Sequence, residues 1–180
     1  MKELSLHILD IVQNSVRAKA TEIEIWIHED IQNNKLRIKI KDNGRGIDKE
    51  LINQIKNPFA TTRTTRKIGL GIPLLLEVCT RCDGDLDIKS ELGIGTEILA
   101  EFKHNHIDRA PIGDIVNTIT MLILSSPKIR YILTYCVDNK DFIMDTIEIK
   151  KVLDGVPIND LSIIKWIESY LEENISALKK

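Results

Sequence analysis

From Leu4 to Ala18 the apolar residues Leu4, Ile8, Ile11, Val12 and Val16 return every three or four positions with polar residues between them, which predicts an amphipathic helix. Residues 22 to 28 and 36 to 41 alternate with the period of a strand, and the polar run from Glu29 to Lys35 joins them as an antiparallel hairpin. Asp42-Asn43-Gly44-Arg45-Gly46 breaks the second strand. Asp48 then suits the cap of a short helix through Ile55, Asn57-Pro58 stops it, and a Thr/Arg-rich stretch to Lys67 reads as a mobile segment.

Gly69-Leu70-Gly71 leads into an apolar helix from Ile72 to Arg81, which Asp83-Gly84 ends. A second hairpin is predicted for residues 85 to 90 and 96 to 103, around Glu91-Leu92-Gly93-Ile94-Gly95. After a polar joint from His104 to Pro111 the pattern starts anew. A helix is expected over 113 to 125, strands over 129 to 137 and 141 to 145 about an Asp138-Asn139-Lys140 turn, and helices over Thr146 to Leu153 and Asp160 to Leu178. The fold class is therefore α+β, divided into residues 1–104 and a small α+β C-terminal domain, 105–180.

Composition narrows the function classes. With 43% hydrophobic and 29% charged residues the chain is that of a globular protein, and no apolar run approaches the roughly 18 residues that span a bilayer. The start, with His7 and Asp10, does not form a signal-peptide core, so a cytoplasmic location is expected. A net charge of −2 provides no basic footprint, so nucleic acid is not an expected partner. Cys79 and Cys82 have redox or metal spacing, but a tetrahedral site needs two more ligands, and the thiols read as buried or idle.

The first helix carries candidate chemistry. Asp10 lies one turn before Asn14, with His7 and Arg17 on nearly the same side, so the four residues form either a solvated polar face or a face toward one ligand. An acid, an amide, an imidazole and a guanidinium suit a metal-bound triphosphate and an attacking group. Asp42, at a strand end before two glycines, reads as a hairpin turn or as an acceptor for an exocyclic amine. Gly69-x-Gly71 before a helix offers backbone N–H groups and a positive helix end to phosphates.

Taken together, Asn14, Asp42-x-Gly44-x-Gly46, Gly69-x-Gly71 and Gly93-x-Gly95-Thr96 resemble, in order and spacing, the N, G1, G2 and terminal boxes of the GHKL (Bergerat-fold) ATPases. That superfamily includes histidine kinases, anti-sigma-factor serine kinases, type II topoisomerases, Hsp90 and MutL. Pro58-Phe59-Ala60-Thr61-Thr62-Arg63 is most similar to the histidine-kinase F box. The resemblance covers a little over half of the chain. It implies a two-layer α/β sandwich of the Bergerat ATP-binding type over residues 1–104, a histidine-kinase-like ATP-binding domain with a small C-terminal α+β unit.

The implied ligands are ATP and magnesium. Asn14 would hold the metal, Asp42 the adenine amine, Gly44 and Gly46 would lie beneath the base, and Thr96 would support it. Arg17, Arg63, Lys67, Gly69 and Gly71 would meet the phosphates, and Phe59 would anchor the lid. Two positions depart from the pattern. Lys67 stands where histidine kinases often have another glycine, and Asp10 stands where ATP-hydrolysing members and anti-sigma kinases place a Glu base, one methylene longer. The expected activity is an ATP-dependent regulatory protein kinase, histidine-kinase-like or anti-sigma-like, phosphorylating a protein partner in trans with Asp10 as base. The alternative is a nucleotide-gated interaction module or slow ATPase. A DNA-repair or topoisomerase ATPase would need a transducer domain, for which residues 105 to 180 are short. That region is expected to be the partner-binding element.

Overall fold

The computed structural model describes residues 2–56 and 71–180. The mobile segment expected up to Lys67, and with it Phe59, Arg63, Lys67 and Gly69, lies outside the described residues. In chain order the elements are α1 (Leu4–Arg17), β1 (Glu22–Asp30), β2 (Lys35–Asp42), α2 (Lys49–Lys56), α3 (Gly71–Arg81), β3 (Asp85–Glu91) and β4 (Gly95–Lys103). They are followed by α4 (Ile115–Ser125), β5 (Arg130–Val137), β6 (Lys140–Asp145), α5 (Thr146–Val152) and α6 (Leu161–Leu178).

The strands form one six-stranded mixed sheet in the order β3-β4-β2-β1-β5-β6. Burial alternates along them, so that Ile23, Ile25 and Ile27 of β1 face the same side as Ile38 and Ile40 of β2 and Leu133 and Tyr135 of β5. That side is covered by helices, with α1 packing against α3 and α4, and α4 against α6. The opposite face of the sheet carries Glu24, Lys39, Lys41 and Glu97 and has no helix over it among the described residues. One covered and one wet face is the arrangement that period-two alternation permits. The result is the two-layer α+β sandwich anticipated above.

Residues 105–180, expected as a separate unit, add β5 and β6 to the same sheet. β5 runs parallel to β1 from Glu22↔Arg130 to Glu29↔Val137, and one hydrophobic cluster runs from Leu4 through Ile119 to Leu171. The polar joint is also tied down. Helix α1 has no side-chain cap, and its first N–H groups, Leu4 N and Ser5 N, donate instead to the Pro111 and Ile112 carbonyls at 3.0 and 2.7 Å. Those donors have no partner inside the helix, so the joint supplies what the sequence of α1 lacks. The later helices cap themselves, with Asp114, Asp145 and Asp160 accepting from Asn117 N, Ile147 N and Ser162 N.

Most boundaries shift by one or two residues, and two of the shifts change how a residue is read. Glu29 and Asp30 belong to β1 rather than to a loop, because Asp30 accepts from Asn33 N at 3.1 Å and tightens the turn to Ile31–Asn34. Lys140 begins β6 rather than ending a turn, pairing with Val137.

Candidate functional site

A cleft of about 610 Å³ opens between the last turns of α1, the end of β2, the start of α2 and the beginning of α3. Its polar lining comes from Asn14, Ser15, Arg17, Asp42, Arg45, Asp48 and Thr96, and its apolar walls from Ile11, Ile47, Leu51, Ile72, Leu92 and Ile98. The volume and the mix of apolar walls with a few polar groups are those of a small-ligand site.

Asp42 and Thr96 are directly opposed on β2 and β4. The Asp42 carboxylate accepts from Ser15 Oγ at 2.6 Å and from Gly44 N at 2.8 Å, one donor on each oxygen. An ionised carboxylate has about four acceptor sites, so each oxygen keeps a free lone pair beside the cavity. Thr96 is buried, and its Oγ1 lies 2.8 Å from Ser90 Oγ. Ser90 donates to the Gly95 carbonyl at 2.8 Å and accepts from Ile47 N at 2.7 Å. Its single proton is thereby committed, so the Thr96 hydroxyl donates to Ser90 and keeps acceptor capacity for the cleft. Two neighbouring acceptors with their own donors fixed from behind match a ligand donor such as an exocyclic amine.

The loop after Asp42 is shaped by its neighbours. Gly46 has φ +76°, and a Cβ there would lie 2.1 Å from the Glu91 carbonyl oxygen, so the glycine is required by the turn between β3 and β4 packed against it. Gly44 is buried beside Ala18 and gives its N–H to Asp42. Asn43 faces away and accepts from Thr21 N and Glu22 N, which pins the loop to the start of β1.

At the other end of the cleft, Asn14 Oδ1 accepts from Arg17 Nη1 at 3.1 Å. Gly71 opens α3 directly against α1, where an added Cβ would lie 3.2 Å from Asp10 Cβ and 3.8 Å from Asn14 Nδ2. The close approach brings the positive end of an 11-residue helix to the side of α1 that bears Asp10 and Asn14. Asp10 is half-buried there but does not line the cleft. His7, grouped with these residues by its helical position, is 2% exposed and away from the cleft lining, and neither ring nitrogen has a hydrogen-bond partner. Burial, then the charge of the chain's amino terminus, lower its pKa below the ordinary value, against the opposing pull of Asp10.

Among the described residues no group of three or more His, Cys, Asp or Glu side chains is placed to hold a metal. Magnesium at an ATP site takes its oxygens mainly from phosphate and water, with one or two from the protein, and a single amide oxygen on Asn14 fits that pattern. Cys79 and Cys82 are fully buried, and burial pushes the Cys79 thiol up to about 12 and raises that of Cys82. Thiols so far from ionisation are core side chains, not nucleophiles. No helix of the described residues is long and apolar enough to cross a membrane.

The comparisons with known proteins bear on the family and the fold. Sporulation kinase C of Bacillus subtilis is 31% identical over 94 residues, which cover 52% of this chain and 22% of that protein. Sensor histidine kinase YvrG, also of Bacillus subtilis, is 31% identical over 100 residues, 52% of this chain and 17% of that protein. The chain thus spans about a fifth of the length of these relatives. Among solved structures, the ATP-binding domain of topoisomerase IV from Francisella tularensis superposes with a TM-score of 0.52 at 18% identity, over 79% of this chain and 87% of that one. That share exceeds the stretch matched by the family model, so the likeness of fold runs past residue 106. With residues 2–106 matching its model, the chain belongs to the HATPase_c family, the histidine kinase-, DNA gyrase B- and HSP90-like ATPases.

Proposed function

We propose that this chain binds ATP with magnesium in the cleft and acts as a histidine-kinase-like or anti-sigma-like protein kinase, phosphorylating a partner protein in trans. The observation that carries the nucleotide reading is the acceptor pair of Asp42 and Thr96, held from behind by Ser15, Gly44 and Ser90. In this reading the adenine amine donates to Asp42, and Ile47, Leu51, Ile72 and Ile98 provide apolar contact to the base.

Asn14 holds the metal, Arg17 lies one turn away to meet phosphate charge, and the α3 N-terminus faces the same end of the cleft. The bound metal would neutralise charge on the transferring phosphoryl group. Phe59, Arg63, Lys67 and Gly69 belong to the lid side of the same proposal. Asp10 holds at a carboxylate oxygen the proton that the attacking group releases. The regulatory role and the cytoplasmic location belong to this reading, and residues 105–180 are its partner-contacting part.

A slow ATPase or nucleotide-gated interaction module is favoured by one observation. Asp10 is a methylene shorter than the Glu of the family pattern and stands outside the cleft lining, and a misplacement of about 1 Å costs on the order of a hundredfold in rate. Incubation with γ-labelled ATP and the native partner separates the two. Label on the partner, reduced at least tenfold in Asp10→Asn with ATP binding retained, supports the kinase. Phosphate release alone, or transfer undiminished in Asp10→Asn, removes the kinase or the base respectively.

A further inference from the structure

The sheet has two edges, β3 and β6, and they are defended differently. An edge strand presents unpaired N–H and C=O groups, which proteins commonly guard with charge. On β3 the residues of the uncovered face are Asp85, Asp87, Lys89 and Glu91. On β6 the centre of that face is Ile143, which is 57% exposed. Beside the strand, β6, α5 and α6 bound a groove of about 660 Å³, with Met144, Ile149, Leu153 and Ile163 in its walls. Trp166 of α6, 51% exposed, stacks on Tyr170 with ring centroids 5.2 Å apart and planes 6° from parallel. Val152, 85% exposed, continues the apolar surface at the end of α5. An exposed apolar groove beside an unpaired strand edge is a combination that marks a binding surface.

We propose that β6 takes an extended segment of a protein partner as a seventh strand, with alternate apolar side chains entering the groove and Lys or Arg on the other face. The backbone of β6 asks for a strand, since only a strand satisfies a row of edge donors and acceptors. Its side chains ask for base. Asp141 and Asp145 flank Ile143 on the uncovered face, and the groove lining contains Asp145 and Glu148 but no Lys or Arg. Arg130 is shared between Asp145 at 2.6 Å and Glu22 at 2.8 Å, and Lys151 pairs with Glu148 at 2.7 Å, so three carboxylates meet two cations and the cluster keeps a net negative charge. An incoming strand therefore turns its alternate apolar residues into the groove and sets basic residues opposite Asp141 and Asp145 on the uncovered face. A second copy of this chain, paired about Ile143 by a two-fold axis, would oppose Asp141 of each copy to Asp145 of the other, a like-charge contact. The inference rests on the reading of residues 105–180 as the partner-contacting part and uses no residue of the nucleotide cleft.

The test presents the full chain with a displayed library of random twelve-residue peptides, counter-selected on Ile143→Lys. Recovered sequences should alternate apolar residues with period two and carry Lys or Arg between them. The leading synthetic peptide should bind at least tenfold more weakly to Ile143→Lys and Trp166→Ala, with ATP affinity unchanged as the check on folding. N-methylation of its pairing amides should abolish binding. Asp141→Lys, an exposed substitution, should shift the selected charge toward acid. Helix-period sequences, binding indifferent to N-methylation, or no peptide retained above the Ile143→Lys background would overturn the proposal. So would a dimer in sedimentation equilibrium that Ile143→Lys dissolves, because the occupant is then a second copy. Failure of ATP to bind the unmodified chain, with peptide binding intact, would sink the nucleotide reading and leave this one standing.

Discussion

Two carboxylates sit on adjacent strands at opposite ends of the β1–β2 hairpin, Asp42 at the cleft end and Glu29 at the other. Glu29 accepts from Tyr135 Oη at 2.6 Å, lies 3.2 Å from His104 Nε2 and is 3.1 Å from Lys179 Nζ. Burial alone would raise its pKa, but the hydrogen bonds from Tyr135 and His104 and the charge of Lys179 outweigh that and hold it below the ordinary carboxylate value. Glu29 also borders a surface cavity of about 480 Å³, but three protein groups already converge on its two oxygens and tie the end of α6 and β5 to β1. Asp42 has two protein donors, both fixing its orientation, and an open cavity in front. A carboxylate drawn into three contacts with distant parts of the chain, one of them the cation of Lys179, is part of the fold. One that is oriented but left with free lone pairs at a cleft is part of a site.

The strongest way to break that distinction is Asp42→Asn. The substitution replaces one acceptor oxygen by a donor that, in the proposed reading, faces the adenine amine, so ATP affinity should fall roughly ten to a hundredfold, about 1.5 to 3 kcal/mol. The unfolding free energy should change by less than about 1 kcal/mol, since one of the two supporting hydrogen bonds persists. Calorimetry that finds affinity unchanged would remove Asp42 from the adenine contact. Urea unfolding that finds the larger loss in stability would place Asp42 in the same class as Glu29.

Tyr135→Phe tests the other end. Tyr135 is buried, and burial followed by its hydrogen bond to Glu29 pushes its hydroxyl pKa upward. Removing that hydroxyl leaves Glu29 one donor short in a low-dielectric setting, which should cost about 1.5 to 2 kcal/mol of stability. ATP affinity should not move. A variant that unfolds at the parent's urea midpoint would show that His104 and Lys179 satisfy Glu29 without it.

The same contrast explains what was legible in the sequence. Asp42 stands out as a carboxylate at a strand end before two glycines and Asn14 as one of several polar residues on one face of α1, while Thr96 is marked by the resemblance of Gly93-x-Gly95-Thr96 to a family box. Ser15 and Ser90, which orient Asp42 and Thr96, were missed. Ser15 is one polar residue among several in α1, and its role depends on Asp42, 27 residues away. Ser90 sits on an edge strand, where a serine is unremarked until Ile47, Gly95 and Thr96 converge on it. Glu29 read as a loop residue because the partners that make it a buried strand residue come from 75 and 106 positions away. The helices and hairpins follow from local periodicity, whereas the placement of β5 beside β1 does not, because parallel pairing leaves no turn between the paired strands.

His7 is a third case, a polar side chain satisfied by neither protein nor cleft. It is 2% exposed with both ring nitrogens unpartnered, and burial lowers its pKa from the model-peptide value of 6.5. Between that lowered value and 6.5 the unfolded chain binds more protons than the folded one, so stability rises with pH across this window. The contribution is complete above about 6.5 and is lost as pH falls through the folded value. His7→Phe deletes both the titration and the unpaired nitrogens, so urea unfolding between pH 5 and 7 should give a shallower slope than the parent, with stability at pH 7 equal or higher. Equal slopes in parent and variant would mean that the His7 imidazole titrates alike in the folded and unfolded chains, and would return it to the polar face that its helical position first suggested.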